Sequence, residues 1–142
     1  MDVFGYGGSW EKTYAFNEIA QFVNMFGGDY FDWTKEENKE AIQFLHDLVA
    51  NKETPVDQIA DKYDQMNPKI NDGKYGCWFM WGLGTDYAKA DMLGADKIHM
   101  AMVPDFSGNG ERAIFTDSWS YVLNSASKNK DAAIKFPAVY GR

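Results

Sequence analysis

The order of elements along the chain predicts an α/β fold, a layered domain with a mixed or mostly parallel sheet. Two observations carry that prediction. Short apolar runs that end in glycine alternate with segments of helical period across the 142 residues. The stretch from Asn71 to Asp86 then concentrates the signal: a turn at Asp72 and Gly73, a run rich in large apolar and aromatic residues, and a stop at Gly82 and Gly84. That run is too short to span a bilayer. It is also too continuous for a half-exposed strand, so it fits the interior of a sheet covered on both faces. Thr85 and Asp86 stand where a following helix is capped. A strand ending in a glycine turn at a helix N-terminus offers free backbone N–H groups to whatever lies in front of the sheet.

Taken in order, Val3 to Gly7 reads as a strand, and Ser9 as the cap of a helix whose Ala15, Ile19, Phe22, Val23 and Phe26 share one face. Gly27 and Gly28 end it. Thr34 and Glu37 form a capping-box pattern ahead of the stripe Ala41, Ile42, Leu45, Leu48 and Val49, a helix expected to dock on the sheet. Thr54 and Pro55 break the chain, and a polar helical segment follows through Ile59, Tyr63 and Met66. Pro68 is expected to start another short turn that leads to Gly73. Asp86 to Met92 reads as a helix, Lys97 to Val103 as a strand stopped by Pro104, and Ser107 to Gly110 as a loop. Ala113 to Leu123 looks extended. Asp131 to Phe136 reads as a helix that Pro137 interrupts. No internal repeat is visible.

The length supports one domain with a real core. At 45% hydrophobic and 25% charged residues, the composition is that of an ordinary soluble globular protein. The aromatic share, 16%, is high, and flat ring faces stack on sugars and bases. A formal charge of -7 argues against nucleic acid as a partner, because phosphate binding needs clustered Lys and Arg. Cys77, the one cysteine, cannot form an internal disulfide and is expected as a buried, inert thiol within the apolar strand. No run reads as a signal peptide or a membrane helix. The opening in mid-strand and the proline near the end suggest a chain cut from a longer protein.

Catalytic signatures are missing: no phosphate-binding Gly-x-x-x-x-Gly-Lys, no Gly-x-Ser-x-Gly, no His-Glu-x-x-His. Gly82 and Gly84 do not complete a dinucleotide fingerprint, since Tyr87 occupies the third glycine position. His46 and His99 have no second ligand at metal spacing. No cofactor is expected. Most of the acidic residues read as solvated helix faces. The positive signal is Trp10, Trp81 and Trp119, each near a glycine turn, a carboxylate or a hydroxyl. That combination suits a polyhydroxylated ligand, which stacks its C–H face on a ring and bonds its hydroxyls to acids and amides. Trp10 and Tyr14 fall in the first turns of the first helix, off the centre of its apolar face. They either cover a core edge or point into a cleft.

Asn71-Asp-Gly-Lys-Tyr-Gly, followed by an apolar strand and a glycine turn, resembles the "F-x-x-G-K-x-A-M, then G-x-W" motif of the extracellular solute-binding proteins of sugar ABC importers, the maltose-binding-protein-like family. Three more stretches agree in order and spacing: Gly27-Gly28 after an aromatic helix; Ala41 to Val49 followed by Thr54-Pro55; and Val103-Pro104, a glycine loop, Trp119, then Ser125 to Phe136. Two places depart from the pattern. Leu83 or Gly84 stands where the family often has Trp, so Trp81 is expected to supply the ring from a shifted position. Pro137 and the ending Tyr140-Gly-Arg142 replace a continuing helix.

The resemblance implies a type II periplasmic-binding-protein-like fold, two α/β lobes that close on a sugar held between them. Residues 1–104 would form most of the second lobe and 105–142 the segment crossing back to the first, an incomplete two-lobe architecture. It implies a non-catalytic substrate-binding component of an ABC importer, extracellular or periplasmic, held to the membrane by a lipid anchor in the full-length protein, delivering a sugar or oligosaccharide to membrane permease subunits. Trp10, Trp81 and Trp119 would stack on the sugar, Asp117 and Tyr14 would hydrogen-bond it, and backbone amides around Gly82 would complete the site. Weak or undetectable sugar binding by the 142 residues alone, and a homodimer or domain swap, are expected from the missing lobe partners. Two other readings stand beside it: a carbohydrate-active enzyme domain, which needs two carboxylates facing one cleft with Asp117 among the candidates, and a plain interaction module with its aromatics in the core.

Overall fold

The computed structural model describes residues 3–79, 96–114, 120 and 122–140. Its elements are β1 (Phe4–Gly7), α1 (Ala15–Met25), α2 (Glu36–Ala50), a 3₁₀ turn (Val56–Ala60), α3 (Tyr63–Asn71), β2 (Tyr75–Trp78) and α4 (Lys130–Tyr140). The two strands pair in parallel, with Phe4 opposite Tyr75, Tyr6 opposite Cys77 and Gly7 opposite Trp78. Parallel pairing requires a long crossover, and α1, α2 and α3 supply it.

Two apolar clusters hold these elements. Tyr6 of β1 packs with Phe22, Val23 and Met25 of α1 and with Ala41, Leu45 and Leu48 of α2. The two stripes therefore meet each other and α2 docks on α1, but Ile42, expected in the α2 stripe, stays exposed. Phe79, just past β2, closes this cluster edge-on to Tyr6 and Phe22, with ring centroids 6.0 and 5.5 Å apart. The second cluster joins Met66 and Ile70 of α3 to Tyr75 of β2, with Phe4, Trp78 and Ile98 against it. Gly27, at φ +80°, ends α1 as the sequence indicates. Beyond it, buried Asn38 pins the next turn by accepting the Asp29 N–H and donating to the Asp29 and Asp32 carbonyls.

Several local expectations are corrected. Ser9 does not cap α1: its hydroxyl donates to the Asp61 carbonyl at 3.0 Å, and the helix starts at Ala15 without a side-chain cap. Thr34 is no N-cap either, because Asp32 takes its hydroxyl at 2.6 Å and its N–H at 3.1 Å, leaving Lys35 at the helix start. Pro68 lies inside α3, which gives up one intrahelical bond there. Pro137 likewise falls within the span of α4 and does not end it. Lys97 to Val103 forms no strand, and Met100 and Met102 are exposed. Cys77 is exposed rather than sealed, its thiol donating to the Gly5 carbonyl at 3.1 Å, because among the described residues β2 has β1 as its strand neighbour and no layer lies over Gly76 and Cys77. The helix expected over Asp86 to Met92, and most of the extended segment from Ala113 to Leu123, lie outside the described residues.

Candidate functional site

Because β1 and β2 run parallel, their carboxyl ends, Gly7 and Trp78, lie at the same end of the sheet. Ligands of open α/β sheets bind in the crevice beyond that end. From Gly7 the chain enters the loop that carries Trp10 and Tyr14 before α1 begins, so both residues precede the helix rather than sit in its first turns.

The loop is pinned from two sides. On one side stands Glu18 of α1, 3% exposed. Its Oε1 accepts the Ser9 N–H at 2.7 Å, and its Oε2 accepts the Trp10 indole Nε1–H at 2.8 Å together with the Tyr6 hydroxyl. Gly8 admits this approach: a Cβ there would come within 2.5 Å of Glu18 Oε2 and 2.6 Å of Trp10 Nε1. On the other side, Gln58 accepts the Gly8 N–H on its side-chain oxygen at 3.0 Å and the Trp10 N–H on its carbonyl at 3.2 Å. The Asp61 carbonyl takes Glu11 N–H and Ser9 Oγ. Thr54 Oγ1 lies 2.8 Å from the Tyr6 carbonyl and 2.5 Å from Gln58 Oε1. Lys69 of α3 anchors this wall by donating to the carboxylates of Asp61 at 2.5 Å and Asp57 at 3.1 Å.

Burial pushes the Glu18 carboxyl above the ordinary carboxylate range, and the bonds from Tyr6, Ser9 and Trp10 offset only part of that. Burial, then the facing Glu18 charge, raises the Tyr6 phenol well above its usual value. For Lys69, partial burial pulls downward, but the bonds to Asp61 and Asp57 prevail and raise it.

Trp10 is half-buried, resting on the first cluster with its N–H committed to Glu18. Tyr14 meets Tyr63 of α3 edge-on, centroids 5.0 Å apart. Trp81, Gly82, Asp117 and Trp119 lie outside the described residues. Glu18 and Tyr6 were not anticipated as site residues. The signal for Glu18 was present: it falls three positions after Ala15 and four before Phe22, a carboxylate on the apolar face of its helix. Among the described residues there is no cluster of three or more His, Cys, Asp or Glu able to hold a metal.

Together the fold and this loop define an α/β domain that presents aromatic side chains at the shared carboxyl end of a parallel strand pair. The family model for bacterial extracellular solute-binding proteins matches residues 3–138, and the chain belongs to that family. The family has the periplasmic-binding-protein-like fold and acts outside the cytoplasm. No curated protein and no solved structure matches the chain.

Proposed function

We propose that this solute-binding protein takes a sugar or oligosaccharide and hands it to the membrane permease of an ABC importer. The observation that carries the reading is the Trp10 ring, held half-buried by Glu18 at the carboxyl end of β1. A ring fixed in that way offers a flat face at little entropic cost. In this reading Trp10, Trp81 and Trp119 stack on the sugar, Tyr14 and Asp117 hydrogen-bond it, and backbone amides near Gly82 complete the site. Residues 1–104 act as most of one lobe and 105–142 as the crossing segment, with closure between lobes selected by the bound sugar and sensed by the permease. The protein carries out no chemistry of its own, works with no cofactor, and is extracellular or periplasmic, held to the membrane by a lipid anchor in the full-length protein. Self-association, as a homodimer or a domain swap, belongs to the same proposal.

Thermal shift of the full-length protein against a sugar panel tests it, since only bound solutes raise the melting temperature. A shift with one sugar class that disappears in Trp10→Ala supports the reading. No shift with any sugar, alongside a clear one for an amino acid or polyamine, refutes it.

A further inference from the structure

We propose that Glu18 is the positioning residue of the sugar site: it fixes the Trp10 indole plane and, by holding the Nε1 hydrogen, leaves the solute only the ring's π face, made electron-rich by the adjoining carboxylate. The inference rests on the reading of Trp10 as a stacking face and adds which kind of sugar that face selects. All three groups that bond Glu18, the Tyr6 hydroxyl, the Ser9 N–H and the Trp10 Nε1–H, are donors. A carboxylate is complementary to that set, whereas a carboxamide, with one oxygen, satisfies only part of it. An indole whose N–H bonds an anion has a more negative face. Sugar C–H hydrogens carry partial positive charge, so stacking on that face strengthens. With the N–H committed, Trp10 donates nothing to a solute hydroxyl. The ring therefore favours pyranoses whose equatorial hydroxyls leave a continuous C–H face over open-chain polyols that have hydroxyls but no such face.

The test follows the Trp10 indole N–H resonance in the ¹⁵N-labelled full-length protein, in which both lobes can close on the solute, at about pH 8, above the ordinary carboxylate range, with that resonance assigned by its loss in Trp10→Phe. Maltotriose and cellotriose are the probes, and sorbitol is the open-chain control. In the wild type both trisaccharides perturb the Trp10 resonance more strongly than sorbitol does. Glu18→Gln moves that resonance upfield, speeds its exchange with water and raises the trisaccharide Kd by ~5- to 10-fold. Tyr6→Phe, which spares the indole bond, lowers the urea midpoint but leaves Kd within about two-fold. Should Glu18→Gln not fold, Trp10→Phe replaces it, keeping a ring that cannot bond Glu18 and showing the same loss. Unchanged Kd in a variant that has lost the indole bond, while Trp10→Ala abolishes binding, overturns the inference alone. Unchanged Kd in Trp10→Ala, or no trisaccharide binding by the wild type at tens of millimolar, overturns the stacking reading beneath it.

Discussion

The ring of Tyr75 lies over the backbone of Gly7 so closely that a Cβ on Gly7 would sit 2.3 Å from its Cγ and Cδ2. Tyr75 is buried with Met66 and Ile70, so its ring cannot swing away without opening the second cluster. The close approach also lies at the last residue of β1, where the chain turns into the Trp10 loop. Packing of α3 on β2 is thereby tied to the position of the candidate site.

Gly7→Ala should accordingly lower the unfolding free energy by roughly 1–3 kcal/mol, the usual cost of forcing a methyl into a filled space. Gly5→Ala is the control, since its Cβ would meet only the Glu53 carbonyl, at an ordinary 3.6 Å. Urea titrations of both variants check this. Equal midpoints for the two would mean that the Tyr75 ring moves freely.

Thr54 offers one hydroxyl hydrogen to two acceptors, the Tyr6 carbonyl and Gln58 Oε1. Thr54→Val keeps the shape and removes the donor, so the buried Tyr6 carbonyl loses this bond while Gln58 Oε1 keeps only the Gly8 N–H. A loss of about 1–3 kcal/mol in urea unfolding is expected. Thr54→Ser, which keeps the hydroxyl, should recover most of it; a serine variant no better than the valine one would count against the hydrogen bond as the cause.

The raised Glu18 carboxyl gives a pH dependence of definite sign. Above the ordinary value of 4.5 the folded state still holds a proton that the unfolded chain has released, so stability from this group falls as pH rises through the raised value. Below 4.5 both states are protonated and the term is flat. Carboxyls shifted the other way, such as Asp32 and Asp105, oppose this trend in the whole protein. The comparison with Glu18→Gln isolates it: the wild type should lose stability relative to the variant as pH rises above about 4.5. A gap that stays constant as pH rises from about 4.5 would refute the assignment.

What was legible in the sequence was local. The α1 stripe, the α2 stripe apart from the exposed Ile42, the β1 strand and the stop at Gly27 depend on periodicity and on residues close in the chain, and they appear as expected. Ser9 was misjudged because its competing acceptor, the Asp61 carbonyl, is 52 residues away. Thr34 failed through a nearer competitor, Asp32, which no capping pattern weighs. Exposure of Cys77 depends on which layers cover β2, a tertiary property that hydrophobicity of the run cannot report. At the site, Trp10 is legible as an aromatic near a glycine turn, while the acid that orients it, Glu18, resembles in composition the many solvated carboxylates of the chain. Its place on an apolar helix face was the distinguishing mark.

Gly8 gives the sharpest separation between stability and binding. Its N–H bonds Gln58, and its missing side chain leaves room for Glu18 Oε2 and Trp10 Nε1 to meet. In Gly8→Ala the new methyl falls 2.5 Å from one and 2.6 Å from the other, and Glu18 cannot retreat easily because it also holds Ser9 and Tyr6. The indole, as the more exposed partner, is the group that should yield. The expected result is a loss of about 1–3 kcal/mol in unfolding, together with an upfield shift of the Trp10 N–H resonance and weaker trisaccharide binding. If the resonance stays in place while stability drops, the methyl is being absorbed by the Gln58 side of the loop, and Gly8 matters for folding without setting the ring.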